Sequence, residues 1–126
     1  MRGFLTLPLL ALTAIGPAQA ASPAIVQVTM TNFSFAPSAL QLTAGAPVVL
    51  RLRNDAGGGH NFAAPAFFAA ARIDPASASL VHDGRVEVKS HSTVDVALTP
   101  AAGQYPLKCT HTLHSAFGMK GSISVR

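Results

Sequence analysis

Hydrophobic and polar residues alternate with a period of two along most of the chain. Residues 25–30 read IVQVTM, and Asn32-Phe33-Ser34-Phe35 continues the alternation up to Pro37. Residues 39–43 (ALQLT) run to a turn at Ala44-Gly45-Ala46-Pro47. Residues 48–53 (VVLRLR) alternate again and stop at Asn54-Asp55-Ala56-Gly57-Gly58-Gly59. Residues 86–88, 93–99 (TVDVALT), 104–109 and 122–125 (SISV) complete the set. Successive side chains of a strand point to opposite faces, so such runs, divided by Gly and Pro turns, predict half-buried antiparallel strands. The pattern as a whole predicts an all-β sandwich or barrel. One stretch departs from it: Pro65 to Arg72, PAFFAAAR, is alanine-rich with proline near its start and predicts a short helical insertion over 65–72. Residues 74–84 read as loop. No internal repeat or low-complexity tail stands out.

The opening of the chain has a different character. Arg2 precedes an apolar stretch from Phe4 to Ile15, and Ala18-Gln19-Ala20 fits a signal-peptidase site. Gly3, Pro8, Gly16 and Pro17 leave the run too short and too broken for a membrane span. Residues 1–20 are therefore expected to be a signal peptide, and residues 21–126 a single exported, periplasmic domain with no membrane span. A domain of that size can bury one working core. Lys and Arg number 9 against 5 Asp and Glu, and the basic residues are scattered rather than clustered. That argues against nucleic acid as a partner, while permitting weak steering towards an anionic one.

Cysteine is the more pointed signal. The chain has 1 cysteine, whereas exported proteins have paired cysteines or none, because their compartment oxidises exposed thiols. A lone thiol needs protection by burial, by a partner or by a metal. It sits in the stretch 109–119, CTHTLHSAFGM, which crowds thiol, imidazole and thioether into one loop between the strand 104–109 and the strand 122–125. Cys109, His114 and Met119 make three of the four ligands of a blue-copper centre, in which a soft thiolate and a long axial methionine hold the metal. The missing ligand is a second imidazole. His60 is the strongest candidate, because it follows the Gly57-Gly58-Gly59 run just after a strand, and glycines allow close approach and unusual backbone conformations. His82, His91 and His111 are weaker candidates; His82 and His91 lie in polar surroundings that favour solvent exposure.

These residues also carry a resemblance. Tyr105-x3-Cys109-x4-His114-x3-Gly118-Met119-x-Gly121-x-Ile123-x-Val125 resembles the C-terminal signature of small blue-copper proteins, the cupredoxins of the plastocyanin and azurin type. Asn54 through His60-Asn61-Phe62 resembles their first-histidine segment, and Met30 to Pro37 with Val48 to Arg53 their opening strands. The resemblance implies an eight-stranded Greek-key sandwich with one mononuclear type 1 copper at one pole, shuttling single electrons between larger redox partners. It implies His60 and His114 as imidazole ligands, Cys109 as thiolate and Met119 as axial thioether. Asn61 would tie the two ligand loops together, and Gly59 sits where azurin-like members bring a carbonyl near the metal. Two departures stand out: Thr112-Leu113 replaces the proline that many relatives place before the loop histidine, and His111 occupies a position that is usually apolar.

Copper(I) favours soft, low-coordinate surroundings and copper(II) tetragonal nitrogen and oxygen; two imidazoles, a thiolate and a distant thioether compromise between them. Backbone amides of the 109–119 loop and near Asn61 are the expected donors to sulfur. Ala116, Phe117 and Gly118 around His114 have the composition of a transient docking patch, the other reading being that Phe117 packs inside. Zinc is disfavoured by the single cysteine and the thioether, a binuclear copper site by the lack of a second cysteine, and a multicopper oxidase by the lack of His-x-His pairs. A Cys109 nucleophile finds no evident oxyanion hole. The expectation is a monomeric electron carrier, not an enzyme, meeting a c-type cytochrome or another redox protein; the alternative is a copper-binding protein for tolerance, storage or delivery.

Overall fold

The computed structural model describes residues 3, 8, 10–16, 22–114 and 116–126. It is a Greek-key β-sandwich of ten strands: β1 Ala24–Thr31, β2 Ser34–Ala36, β3 Ala39–Leu42, β4 Val48–Asn54, β5 His60–Ala63, β6 Arg72–Ile73, β7 Arg85–Val88, β8 Thr93–Thr99, β9 Gly103–Lys108 and β10 Lys120–Val125. A helix, α1 Pro65–Ala70, lies between β5 and β6. One sheet has the order β2-β1-β4-β8-β6, the other β3-β10-β9-β5-β7. Each contains one parallel pair, β1 with β4 and β3 with β10, among antiparallel neighbours.

The alternating runs become strands for the reason their pattern suggests. In β4, Val48, Leu50 and Leu52 point inward, while Arg51 points out and meets Asp95 of β8 through two hydrogen bonds of 3.0 Å. Val28, Met30, Leu50, Leu52 and Val96 of one sheet face Phe62, Val86, Val88, Leu107 and Ile123 of the other. Each fully buried side chain of this kind contributes about 1.5–3 kcal/mol. Helix α1 adds Phe67 and Phe68 to this core, with the Phe67 ring 5.6 Å from that of Tyr105 on β9.

Four local differences from the expected pattern have physical reasons. The alternation through Asn32-Phe33 is broken by a turn, with Phe33 at φ 61, so that β2 folds back antiparallel on β1. β5 (HNFA) is buried at all four positions and has no alternation to read. The helix stops at Ala70, because Arg72 and Ile73 pair with Thr99 and Leu98 at the sheet edge. Residues 75–80 are not plain loop but a 3-10 helix, opened by Asp74, whose Oδ1 accepts from Ala76 N at 3.3 Å. Among the described residues there are ten strands, two of them of three residues or fewer, where eight were implied.

The expected cleavage pattern at residues 18–20 lies outside the described residues. Among the described residues no helix is long and apolar enough to cross a membrane. For the site, one feature of the topology matters most. β9 lies between β10 and β5, so the loop entering β5 and the loop joining β9 to β10 emerge at the same pole.

Candidate metal centre

His60 is the first residue of β5 and pairs with Val88 of β7. Its approach is arranged by Asn54, buried at the end of β4. The Asn54 Nδ2 donates to the carbonyls of Gly58 (2.9 Å) and Val88 (3.0 Å), and its Oδ1 accepts from Ala56 N at 2.9 Å. This one side chain folds the 55–59 loop over the end of the sheet. The glycine run does less than expected. None of Gly57, Gly58 and Gly59 adopts a left-handed φ, and a Cβ on Gly57 or Gly58 would meet nothing.

Cys109 lies one residue beyond β9 rather than within it. The loop that follows is wound tightly on itself. Cys109 N donates to Met119 O (3.1 Å), Met119 N to His114 O (3.0 Å), His114 N to His111 O (3.0 Å) and Phe117 N to Leu113 O (3.1 Å). Two left-handed residues bend it, Leu113 at φ 64 just before His114 and Gly118 at φ 94 just before Met119. Gly118 adopts this conformation freely, whereas Leu113 does so against its side chain.

Three ligand atoms converge. His60 Nδ1 and His114 Nδ1 are 3.0 Å apart, and Cys109 Sγ lies 3.8 Å from the first and 3.4 Å from the second. Cys109 and Met119 are fully buried, His60 is 2% exposed and His114 is half-buried. Among the described residues this is the one group of three His, Cys, Asp or Glu side chains so placed. A metal about 2.0 Å from nitrogen and about 2.3 Å from sulfur, at the centre of a trigonal plane, would hold nitrogens about 3.5 Å apart and nitrogen from sulfur about 3.7 Å. The observed triangle fits within about half an ångström of those values. With a proton on either ring the 3.0 Å contact between the two nitrogens is a hydrogen bond; with both lone pairs bare, both nitrogens would face one cation.

The surroundings favour the ligand forms. Burial, then the neighbouring His114 and His111, push the His60 pKa below its ordinary value and keep the ring neutral. Asn61 N donates to Cys109 Sγ at 3.5 Å, which fixes the sulfur against the start of β5. The Asn61 side chain ties the two ligand loops, as the resemblance implied. Its Oδ1 accepts from Thr110 N (2.8 Å), and its Nδ2 donates to Thr110 Oγ1 (2.7 Å) and Glu87 Oε1 (2.8 Å).

His111 stands outside the triangle. Its Nε2 meets Glu87 Oε2 at 2.8 Å, and its ring stacks on His114 at 5.5 Å and 23°. His82 and His91 are exposed and away from the triangle; His82 pairs through its backbone with Arg85, and the His91 carbonyl accepts from Arg53. Sequence reasoning missed Glu87, Asn54 and Phe33. Glu87 lies directly across from Asn61 in the β5–β7 pair, a relation set by register rather than by spacing. Burial pushes its carboxyl pKa up, but hydrogen bonds from Asn61 and His111 outweigh this and leave it below the ordinary value.

The outer edge of His114 meets an apolar surface. Phe33 stands edge-on to its ring at 5.3 Å, and Phe117 lies 5.3 Å from Phe33. Phe33, Leu113 and Phe117 are 42%, 62% and 64% exposed, so Phe117 does not pack inside.

Comparison with known proteins accords with this geometry. Auracyanin B superposes with a TM-score of 0.61 at 24% identity, over 86% of this chain and 93% of that one. Auracyanin A, a "blue" copper protein from Chloroflexus aurantiacus, superposes with a TM-score of 0.60 at 21% identity, over 83% and 100%. A multicopper oxidase from Campylobacter jejuni superposes with a TM-score of 0.62 at 10% identity; the match covers 90% of this chain but 32% of the oxidase. No curated protein sequence matches the chain. The model of the copper binding proteins of the plastocyanin/azurin family matches residues 23–126. The chain belongs to that family, and His60, Cys109, His114 and Met119 form its type 1 copper-like site.

Proposed function

We propose that the chain is an exported, periplasmic, monomeric carrier of single electrons, with one mononuclear type 1 copper held by His60 and His114 Nδ1, Cys109 Sγ and the Met119 thioether. The observation that carries this reading is the triangle of two imidazole nitrogens and one sulfur, within 4.8 Å of one another, under an exposed apolar patch. When bound, copper would supply a one-electron couple tuned by the Met119 thioether and by the sulfur environment. The protein's own residues do the rest. Burial keeps His60 neutral, the Asn61 amide fixes the Cys109 sulfur against the start of β5, and the Asn61 side chain fixes one ligand loop against the other. His114 joins the buried site to the surface, where Phe33, Leu113 and Phe117 offer a partner a small, dry contact of the weak kind that fast exchange requires.

The leader pattern of residues 1–20 supports export, and a mononuclear donor set, the one triangle among the described residues, suits a one-electron carrier. The alternative, a role in copper tolerance, storage or delivery, gains nothing from the other histidines. His82 and His91 stand apart, and His111 is engaged by Glu87. The distinguishing experiment is stopped-flow electron exchange with a c-type cytochrome. Rapid second-order exchange, slowed at least roughly tenfold by Phe117→Asp with no loss of colour, is expected if the patch is the dock. A blue protein that exchanges no electrons but yields its copper readily to a chelator would favour the delivery role instead.

A further inference from the structure

The structure assigns to Glu87 a positioning role at the metal centre: its carboxylate brackets Asn61 and His111 and thereby sets where the 109–119 loop holds His114. The inference rests on the copper reading above. Each carboxylate oxygen has its own partner, Oε1 taking Asn61 Nδ2 and Oε2 meeting His111 Nε2, both at 2.8 Å. Two lines of contact therefore run from one side chain into the ligand loop. One passes through Asn61 to Thr110, the residue after Cys109. The other passes through His111 to the ring stacked on it, His114.

The loop needs outside support. It has Thr112-Leu113 where a proline would stiffen it, and Leu113 sits in a left-handed conformation that a branched side chain resists. Glu87 is well placed to supply that support, because β7 is held in register on β5 through four residue pairs, including Asn61 with Glu87. The bracket is not a large source of stability. Glu87 is 57% exposed and His111 34%, and exposed ion pairs contribute little in water. Arg85 Nε, at 3.8 Å from Glu87 Oε1, adds only a long contact. What the bracket provides is geometry, and its loss should show at the site rather than in global stability.

The test compares wild type, Glu87→Ala, Glu87→Gln, His111→Ala and the double variant Glu87→Ala/His111→Ala. In the metal-free protein, Glu87→Ala should speed amide hydrogen exchange at residues 110–114 roughly tenfold while the urea midpoint barely moves. In the copper-loaded protein it should shift the electron paramagnetic resonance spectrum and the reduction potential and speed copper release to a chelator, with the blue colour retained. Glu87→Gln, which keeps an acceptor for Asn61, should lie between wild type and Glu87→Ala. His111→Ala should reproduce part of the effect, and the double variant should fall short of the two effects combined. Unchanged loop exchange and spectrum in Glu87→Ala would overturn the proposal. So would exchange rising equally in every strand, or effects of the two substitutions that combine independently. If wild type binds no copper the ligand assignment fails, and the metal-free exchange data still decide the role of Glu87.

Discussion

At Asn61 a backbone amide and a side-chain amide divide the work of the site: one donates to the Cys109 sulfur, the other fastens Thr110 and Glu87. Asn54 does the equivalent work for the loop before His60. Asn54→Ala should cost about 2–3 kcal/mol in urea unfolding, because buried backbone groups of Ala56 and Val88, and the more accessible Gly58 carbonyl, lose a partner. It should also weaken copper binding, measured by competition with a chelator. Met119→Leu should keep copper and raise the reduction potential in voltammetry, because a weak donor to copper(II) is lost. A lowered potential would contradict the axial role. His111→Ala should leave a blue, copper-loaded protein, since the ring lies outside the triangle; loss of copper would mean that the wrong loop histidine was chosen. The triangle of His60, Cys109 and His114 was legible in the sequence because two of them share one loop and the third opens a strand after a turn. Glu87 and Asn54 were not, because their partners are chosen by strand register and loop closure, which spacing does not encode.

Among the elements, β4, β8 and β10 were legible because each has one buried face and one more accessible face. β5 was not: its four residues are all buried, and no period marks such a strand. The final hairpin depends on a close approach at Gly121, where a Cβ would collide with the carbonyl oxygen of Ser38, the residue just before β3. Gly121→Ala should therefore cost about 1–3 kcal/mol and loosen β3 from β10, seen as lost exchange protection at Ser122 to Val125. Gly118→Ala tests something different. Its Cβ would meet nothing, but its φ of 94 is unfavourable for alanine. A loss of roughly 1 kcal/mol is expected, together with an altered potential, because Gly118 sets up Met119.

For the molecule as a whole, the site makes stability depend on pH. His60 in the folded state has a pKa below the ordinary histidine value of 6.5, so the unfolded chain takes up a proton that the folded chain resists. The stability of the metal-free protein should therefore be full above pH 6.5 and fall as the pH drops below it. Urea midpoints at about pH 7.5 and about pH 5 should show the decline, and His60→Gln should flatten it. Copper affinity should fall in the same direction, since the ligands must be deprotonated. The sandwich class and the pole carrying the loops follow from patterns that persist along the chain. The turn at Phe33, which folds β2 back on β1 and places an aromatic ring against His114, left no periodic trace.

The central claim is that Cys109 sulfur and two imidazoles hold one copper ion. The most direct measurement is titration of the reduced, metal-free protein with copper(II), followed by visible absorption, beside Cys109→Ser. An intense blue thiolate-to-copper band that saturates at one equivalent in wild type and is absent from Cys109→Ser is the predicted result. A wild-type protein that stays colourless, or a Cys109→Ser protein that turns equally blue, would contradict the account.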